Sequence, residues 1–592
     1  MSANEVNQHP AVGTPDVEKS IAQVDTEAVH GFNGTDEKGT HENDNAFKQE
    51  GVQQVEAITQ VWSKRTVIIM FILIYLMNFI LAMQSSIQGN LSAYVTSEFD
   101  AHGLLATIGI VSTIIGGVSS LTIAKIIDVW GRVEGFCFML LLLTIGQIMK
   151  AACKNVETYA AAQTLYWVAY LGLLYILNVV VADMTTLKNR LLIFGLNQTP
   201  TIATVFAGSK ISQLYYDNLN FRWAFGSWAI ILVGFSVPIL IVFILQAQKA
   251  KRLGVYPVKD HNRTFWESTK HYVVQFDVVG LLLSSAGFSL ILLPFSLATS
   301  APNGWKTGYI IAMFIVGGVC LGLFAVWEKM FAPVQFLPWN YLTDRTILGG
   351  SLVYGFMFTS IYCWDTYYGS YLQVVNNQSI TTSGYILNGF SLGAAFLSPF
   401  IGYAARYTGN YKYIGAIGLP FMIIATGLLI KFRRPDTSTG LLVCGQLLNG
   451  FGSGFLSLCS QMAVMAPVSH QEVAVVLAIY GLFGSIGASI GETIAGALWT
   501  NELPKAMYNA LPADSKNLTS EIYDSLVVQL SYPVGSPIRN AIIEAYASVM
   551  HKMVIAGAVF MVPTVLSVLL WRNINLKKVE EEKGTQAKGN IF

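Results

Sequence analysis

Long apolar stretches separated by short polar connections run along most of the chain, from Val67 to Trp571. Each stretch has roughly 18 or more residues, enough for a helix to cross a hydrocarbon core of about 30 Å. The pattern therefore predicts an all-α polytopic membrane protein. We place fourteen membrane-spanning helices at about residues 65–88, 105–125, 135–153, 157–182, 191–213, 223–246, 277–299, 307–327, 346–372, 380–405, 413–431, 439–463, 471–500 and 549–571.

Two connections are long enough to have structure of their own. In the first, Phe265, Tyr272 and Phe276 recur at helical spacing among Lys and Arg residues, which predicts an amphipathic helix in the membrane interface. The second, at about 501–548, is polar and rich in proline, which predicts a loop or cap on the outer face.

The tails and the charge distribution suggest an orientation. Residues 1–60 are acidic and poor in aromatic residues, which predicts a disordered tail. Lys and Arg are more frequent in the connections on the side of the two tails, so both termini are expected to be cytosolic. The connection after the eleventh span, with Lys431, Arg433 and Arg434, departs from this distribution.

Composition narrows the class of function. The 592 residues are 53% hydrophobic and only 12% charged, and the formal net charge is +1. These values exclude a soluble enzyme and give no basic surface for nucleic acid. The six cysteines lie in or beside apolar stretches, and no Cys, His and carboxylate cluster has the spacing of metal ligands. We therefore expect no catalytic residues, no cofactor and no metal site.

Charged turns between spans are candidate conformational switches. Asp128, Gly131 and Arg132 form a D-x-x-G-R turn after the second span, where a carboxylate and a guanidinium can pair across neighbouring helices. A generic charged loop would have a similar composition. The pattern resembles the signature loop of the major facilitator superfamily. Asp183 and Arg190 follow the fourth span and Arg406 follows the tenth, and we assign these three residues to the same predicted latch.

Several further stretches narrow the resemblance. They are residues 183–190, Phe221 to Gly226, residues 276–283, Tyr362 to Tyr368 and Leu498 to Pro504. Together they resemble the fungal siderophore-iron transporter family of the major facilitator superfamily. The resemblance implies proton-coupled uptake of ferric siderophores. The connection around Arg406 stands eight spans after the D-x-x-G-R turn, so if the seventh and eighth spans are an insert between two six-helix halves, the fourteen helices are arranged six plus two plus six. The expected divisions are an acidic tail 1–60, a six-helix bundle 61–246, an amphipathic linker 247–276, two inserted helices 277–345, a second bundle 346–571 containing the outer loop 501–548, and a tail 572–592.

Two carboxylates lie well inside apolar stretches. Asp365 is in the ninth span and Glu492 is in the thirteenth, and a carboxylate at such depth is costly unless it faces water, a partner or a transport pathway. We predict that they couple transport to protons, with Asp365 ranked first because it lies in the family-like segment. Glu492 could instead pair with Lys210 of the fifth span.

Aromatic and amide side chains are the predicted substrate contacts. Trp364, Tyr367, Tyr368 and Tyr371 recur at i, i+3, i+4 and i+7 and so share one helical face, which could line a pathway or belong to an interfacial aromatic belt. The predicted substrate-binding residues are Tyr362, Trp364, Tyr367, Tyr368, Asn197, Gln198 and Asn388. Any of the amides could equally be a contact between helices.

The resemblance also implies the partners and the location. The expected partners are a ferric hydroxamate siderophore, which itself holds the iron, together with protons and membrane lipid, and we expect a monomer in the plasma membrane or in an endosomal membrane. Other functions remain open: a fourteen-span drug/proton antiporter, a proton exchanger for a small anionic thiol peptide, or a transporter-derived receptor. The antiporter is disfavoured because the fifth span lacks the G-P-x-x-G-G segment typical of that class.

Overall fold

The computed structural model describes residues 58, 61–255, 266–267, 270, 273–274, 277–298, 301–333, 339–468 and 472–583. The predicted acidic tail 1–60 and the linker 247–276 fall largely outside these residues. The described part of the chain is almost entirely helical, which confirms the all-α fold class.

The helices are numbered in chain order. They are α1 Lys64–Glu98, α2 Leu105–Val129, α3 Arg132–Ala152, α4 Val156–Met184, α5 Leu187–Gln198, α6 Pro200–Asn218, α7 Phe221–Arg252, α8 Val278–Leu297, α9 Gly308–Met330, α10 Trp339–Thr343, α11 Arg345–Asp365, α12 Tyr368–Val374, α13 Ile380–Leu387, α14 Gly389–Thr408, α15 Lys412–Phe432, α16 Thr439–Met465, α17 Val473–Ala510, α18 Thr519–Asp524, α19 Leu526–Ser531, α20 Pro537–Val559, α21 Met561–Leu569 and α22 Leu576–Lys583.

The number of spans is close to the predicted one. Within the described residues, 12 helical segments are long and apolar enough to cross a membrane, and α13 with α14, bent by 43°, forms a thirteenth if it is counted as one span. A shorter apolar helix at Val278–Pro294 lies where the seventh span is predicted. The protein is therefore a multi-pass membrane protein, and the count of fourteen stays a prediction.

The bundle has two ends, each marked by contacts between residues far apart in the chain. We call them the Arg132 end and the Trp499 end, after a residue at each. For reference, we call α1–α7 the first half of the helices and α11–α21 the second half. Helix α8 packs against α9, α2 and α17. Glycines allow close approach within the second half: a Cβ on Gly487 of α17 would lie 2.0 Å from the carbonyl oxygen of Gly355 in α11.

The two halves touch at both ends. At the Arg132 end, the Tyr175 hydroxyl donates to the carbonyl of Ala474 at 2.7 Å, and α5 packs against α14. At the Trp499 end, Tyr94 of α1 hydrogen-bonds Gln373 of α12, and the Tyr367 hydroxyl donates to the Gly103 carbonyl at 3.2 Å. Space between the halves is consequently enclosed between two contact zones.

The predicted outer loop is a folded cap over the Trp499 end. Its short helices include α18 and α19, and its backbone amide at Leu526 donates to the Ser97 hydroxyl at 3.1 Å. Buried Arg539 donates to the Gln529 carbonyl and, at 3.4 Å, to the Gln373 carbonyl. The cap is thus attached to both halves of the bundle.

Candidate functional site

A large chamber of about 480 Å³ lies between the two halves. Helices α1, α2, α4, α5, α11, α14, α16 and α17 all contribute to its wall. The wall is mixed: amides from Asn78, Asn178 and Asn197 alternate with aromatic rings such as Tyr170 and Tyr354. A chamber of this size and composition suits a medium-sized organic ligand with several polar groups.

Two of the predicted amides belong to this wall. Asn197 and Gln198 end α5, where Pro200 begins α6. Asn197 is buried, and neither its amide nitrogen nor its amide oxygen has a hydrogen-bond partner among the described residues. Because an unpaired buried amide is costly, this side chain is suited to bind a ligand or water in the chamber.

A smaller chamber of about 250 Å³ lies nearer the Trp499 end. Both predicted carboxylates, Asp365 and Glu492, line it, together with the amides of Gln88 and Gln163. Trp167 and Tyr362 line both chambers and therefore stand where the two meet. The sequence predicted these two carboxylates separately, and the structure brings them to one cavity.

The two carboxylates have different surroundings. Glu492 is 6% exposed, its carboxyl group is hydrogen-bonded by Thr113, and its Oε2 has no partner among the described residues. Space for the group comes from Gly109, since a Cβ there would lie 2.8 Å from Glu492 Oε1. Lys210 is exposed and does not pair with Glu492 within the described structure. Asp365 is partly exposed to the chamber and feels the charge of Arg433.

Arg433 is a site residue that the sequence reasoning did not identify. It follows α15 at the Trp499 end and is 1% exposed. Its guanidinium donates to the Trp364 carbonyl and lies 4.5 Å from the Trp364 ring centroid and 3.6 Å from that of Tyr368. In the sequence, the only sign of a role for Arg433 was its place in a connection that departs from the expected distribution of Lys and Arg.

The predicted aromatic face lies on the wall of neither the large nor the small chamber. Trp364, Tyr367, Tyr368 and Tyr371 are all buried in the packing of the bundle. The Tyr367 ring stacks on Trp499 with centroids 3.9 Å apart and planes at 4°, and Tyr368 supports Arg433. Of the aromatic residues predicted to bind substrate, Tyr362 alone lies on the two chambers.

The remaining predicted substrate contact, Asn388, is engaged within its own helix pair. Its side-chain amide donates to the Gly384 carbonyl at 2.8 Å, at the bend between α13 and α14. The structure therefore places it at the bend rather than on either chamber.

The predicted latch is partly assembled at the Arg132 end. Arg132 Nε lies 3.6 Å from Asp183 Oδ2, and Arg132 Nη1 donates to the Ile127 carbonyl at 3.0 Å. Buried Arg190 donates to the Ala182 carbonyl at 3.2 Å, at the end of α4. Arg406 is exposed. The side chain of Asp128 lies outside the described residues.

Gly131 allows the tight turn between α2 and α3. Its backbone has φ 121° and ψ 161°, a region open essentially to glycine alone. The turn places Arg132 at the start of α3, within reach of Asp183 of α4. The D-x-x-G-R pattern therefore has a geometric reason for its glycine.

Solved transporters share the fold. A bacterial homologue of the human lysosomal transporter Spinster, in an inward-facing occupied conformation, aligns with a TM-score of 0.53 at 13% identity, covering 86% of this chain and 98% of that one. A peptide transporter POT in complex with sulfate aligns with a TM-score of 0.53 at 15% identity, covering 88% and 99%. Residues 350–503 match the sequence profile of the Major Facilitator Superfamily. The fold is therefore the major facilitator fold.

Sequence relatives give the family. An MFS siderochrome iron transporter 1 of Ajellomyces capsulatus is 49% identical, covering 98% of both chains. The siderophore iron transporter mirB of Emericella nidulans is 38% identical, covering 97% of this chain and 95% of its own. Residues 62–380 also match the profile described as Fungal trichothecene efflux pump (TRI12). The chain belongs to the fungal siderochrome iron transporters of the major facilitator superfamily, as its sequence motifs predict.

Proposed function

We propose that the protein carries ferric hydroxamate siderophores into the cell, coupled to protons, by alternating access. The observation that carries this proposal is the pair of chambers that meet at Trp167 and Tyr362. The large chamber offers unpaired amide groups and aromatic rings for a polar organic chelate, and the small one offers carboxyl groups for a proton. The names of the full-length relatives support the choice of substrate.

The substrate is tested by uptake of iron. The protein is expressed in a yeast host that lacks its own siderophore carriers, and uptake of radioactive iron is followed from a panel of ferric hydroxamates, a ferric catecholate and free iron salts. We expect saturable uptake from hydroxamates alone. Asn197→Leu should raise KM, because it removes both amide groups from the large chamber. Equal uptake from all iron sources would overturn the proposal.

The proposed proton-coupling groups are Asp365 and Glu492. Arg433 supplies a positive charge near Asp365, whereas the described structure places no cation against Glu492. A buried carboxyl group without a cation gains the most from carrying a proton. We therefore propose that Glu492 carries the proton and that Asp365 adjusts the electrostatic environment of the small chamber beside it.

Neutral variants test this division of roles. Glu492→Gln should lose accumulation against a gradient and its dependence on external pH, yet keep exchange of labelled for unlabelled substrate, since exchange needs no net proton movement. Asp365→Asn should shift the pH dependence without abolishing accumulation. Glu157→Gln, at an exposed residue of the same end, is the matched control. Accumulation by Glu492→Gln with the pH dependence of the wild type would exclude Glu492 as the proton carrier.

Efflux is the second candidate, because residues 62–380 match a profile described for an efflux pump. An exporter would lower the cellular content of a preloaded compound and would protect the host from a toxin. The same host, preloaded with labelled substrate, decides between the two directions. Faster loss of label on expression, without uptake from outside, would favour export.

A further inference from the structure

Lys150 is a buried lysine that neither the fold nor the proposed coupling explains. It lies in the last turn of α3 with no exposed surface. Its Nζ is 3.5 Å from the ring centroid of Tyr166 and donates to Gln88 Oε1 at 2.6 Å. No carboxylate of the described residues forms an ion pair with it. An amide oxygen and a ring face are therefore its partners, which is unusual because burying an ammonium group is costly.

Lys150 fixes the direction of a chain of hydrogen bonds. Lys150 Nζ donates to Gln88 Oε1, so Gln88 presents its oxygen to Lys150 and its nitrogen elsewhere. That nitrogen, Nε2, donates to Gln163 Oε1 at 3.1 Å. Gln163 has thus used its oxygen, and its Nε2 hydrogens remain available. Without the cation, both amides could turn over and the chain could run in the opposite direction.

The free end of this chain lies at the small chamber. Gln88 and Gln163 both line it, and Gln163 is only partly buried. Among the described residues, no acceptor is recorded for Gln163 Nε2. The chamber wall consequently presents a donor with a fixed direction, opposite in character to the acceptor oxygens of Asp365 and Glu492 on the same wall.

We propose that Gln163 binds the substrate by donating from Nε2 to a carbonyl or hydroxamate oxygen, and that Lys150 is a positioning residue which holds this donor in place through Gln88. Hydrogen bonds in series polarise one another, which strengthens the terminal donor. The inference rests on the proposed function, since it names the substrate atoms that reach the small chamber from a chelate bound mainly in the large one.

Gln163→Glu tests the donor with little change in shape. The new carboxylate can still accept from Gln88, but it has no hydrogen to donate to the substrate. We expect KM for a ferric hydroxamate to rise by about fivefold or more, as loss of a hydrogen bond predicts, with a largely preserved maximal rate. Thr164→Val is the matched control, since the Thr164 hydroxyl bonds only the Ala160 carbonyl of its own helix.

Lys150→Met tests the positioning role by a double-mutant cycle. Each single variant should raise KM, and the double variant should be no worse than Gln163→Glu alone, because the cation acts only through that donor. Lys150→Arg, which keeps a donor-only cation, should restore most of the affinity. Independent, additive effects would overturn the role of Lys150. If the Lys150 variants fail to insert, the Gln163 variant still decides whether the donor binds substrate.

The outcomes separate this inference from the proposed function. Uptake by the wild type with an unchanged KM in Gln163→Glu would overturn the inference alone. Absence of hydroxamate uptake by the wild type would overturn the proposed function and this inference with it.

Discussion

Replacing Gly131 by Ala should strain the turn between α2 and α3. At φ 121° and ψ 161°, the backbone of Gly131 lies in a region where a Cβ meets the neighbouring peptide groups. Holding a residue other than glycine there costs about 1–3 kcal/mol. The structure can avoid that cost only by changing the turn, which would move Arg132 away from Asp183. We therefore expect Gly131→Ala to lower stability and to slow the transport cycle.

The assay compares two substitutions of the same kind. Purified wild type, Gly131→Ala and Gly234→Ala are unfolded by heat in lipid nanodiscs, and the apparent Tm of each is measured. Gly234 lies inside α7, where an added Cβ meets no atom within 4 Å. Inside a helix, alanine is more favourable than glycine by about 1 kcal/mol, so Gly234→Ala should leave Tm unchanged or raise it. Gly131→Ala should lower it, and its maximal uptake rate should fall while substrate affinity is preserved.

Two results would refute this reasoning. If Gly131→Ala had the Tm and the transport rate of the wild type, the turn could not require its glycine conformation. If Gly234→Ala lost as much stability as Gly131→Ala, the loss would reflect a general intolerance of added methyl groups.

Three further predictions follow from other parts of the molecule. Arg132→Ala should break the pair with Asp183 and lower the maximal transport rate by about tenfold or more, with a smaller effect on binding, as separate binding and uptake measurements would show. Arg433→Lys should keep the charge but lose the flat contact with Trp364 and Tyr368, costing about 1–3 kcal/mol of stability in the same thermal assay. Exposed Asn517, in an N-x-T site of the cap, should be glycosylated, and Asn517→Gln should remove a glycosidase-sensitive shift in electrophoretic mobility.

The periodicity of apolar residues predicted the helices and their membrane-spanning character. It could not show what packs against each face of a helix. The spacing of Trp364, Tyr368 and Tyr371 correctly placed them together, yet the surface they share is covered by Arg433 and neighbouring helices. In addition, α11 ends at Asp365 and α12 begins at Tyr368, so the regular helix is interrupted within the segment. Contacts between distant helices decide whether an aromatic residue lines a chamber, and one sequence does not contain them.

Asn197 and Gln198 show the opposite case. Amide side chains in an apolar stretch are costly unless they find polar partners, so the sequence marked both residues as candidates for substrate binding or for contacts between helices. The structure adds that Asn197 has no such partner in the described chain and faces the large chamber. In the sequence, residue type alone made Asn197 a candidate. In the structure, its unpaired amide groups face the large chamber, and this is what allows it to bind a ligand.

Lys150 and Arg433 depart from the expected distribution of Lys and Arg for the same reason. The preference for Lys and Arg on the cytosolic side concerns connections that face water during insertion. Lys150 and Arg433 lie at the Trp499 end, but each is enclosed by protein and contacts amide, carbonyl or aromatic groups. Both are linked to the small chamber, Lys150 through Gln88 and Arg433 through Asp365. In a chain with so few charges, a cation on the unexpected side is therefore a reason to look for an internal site beside it.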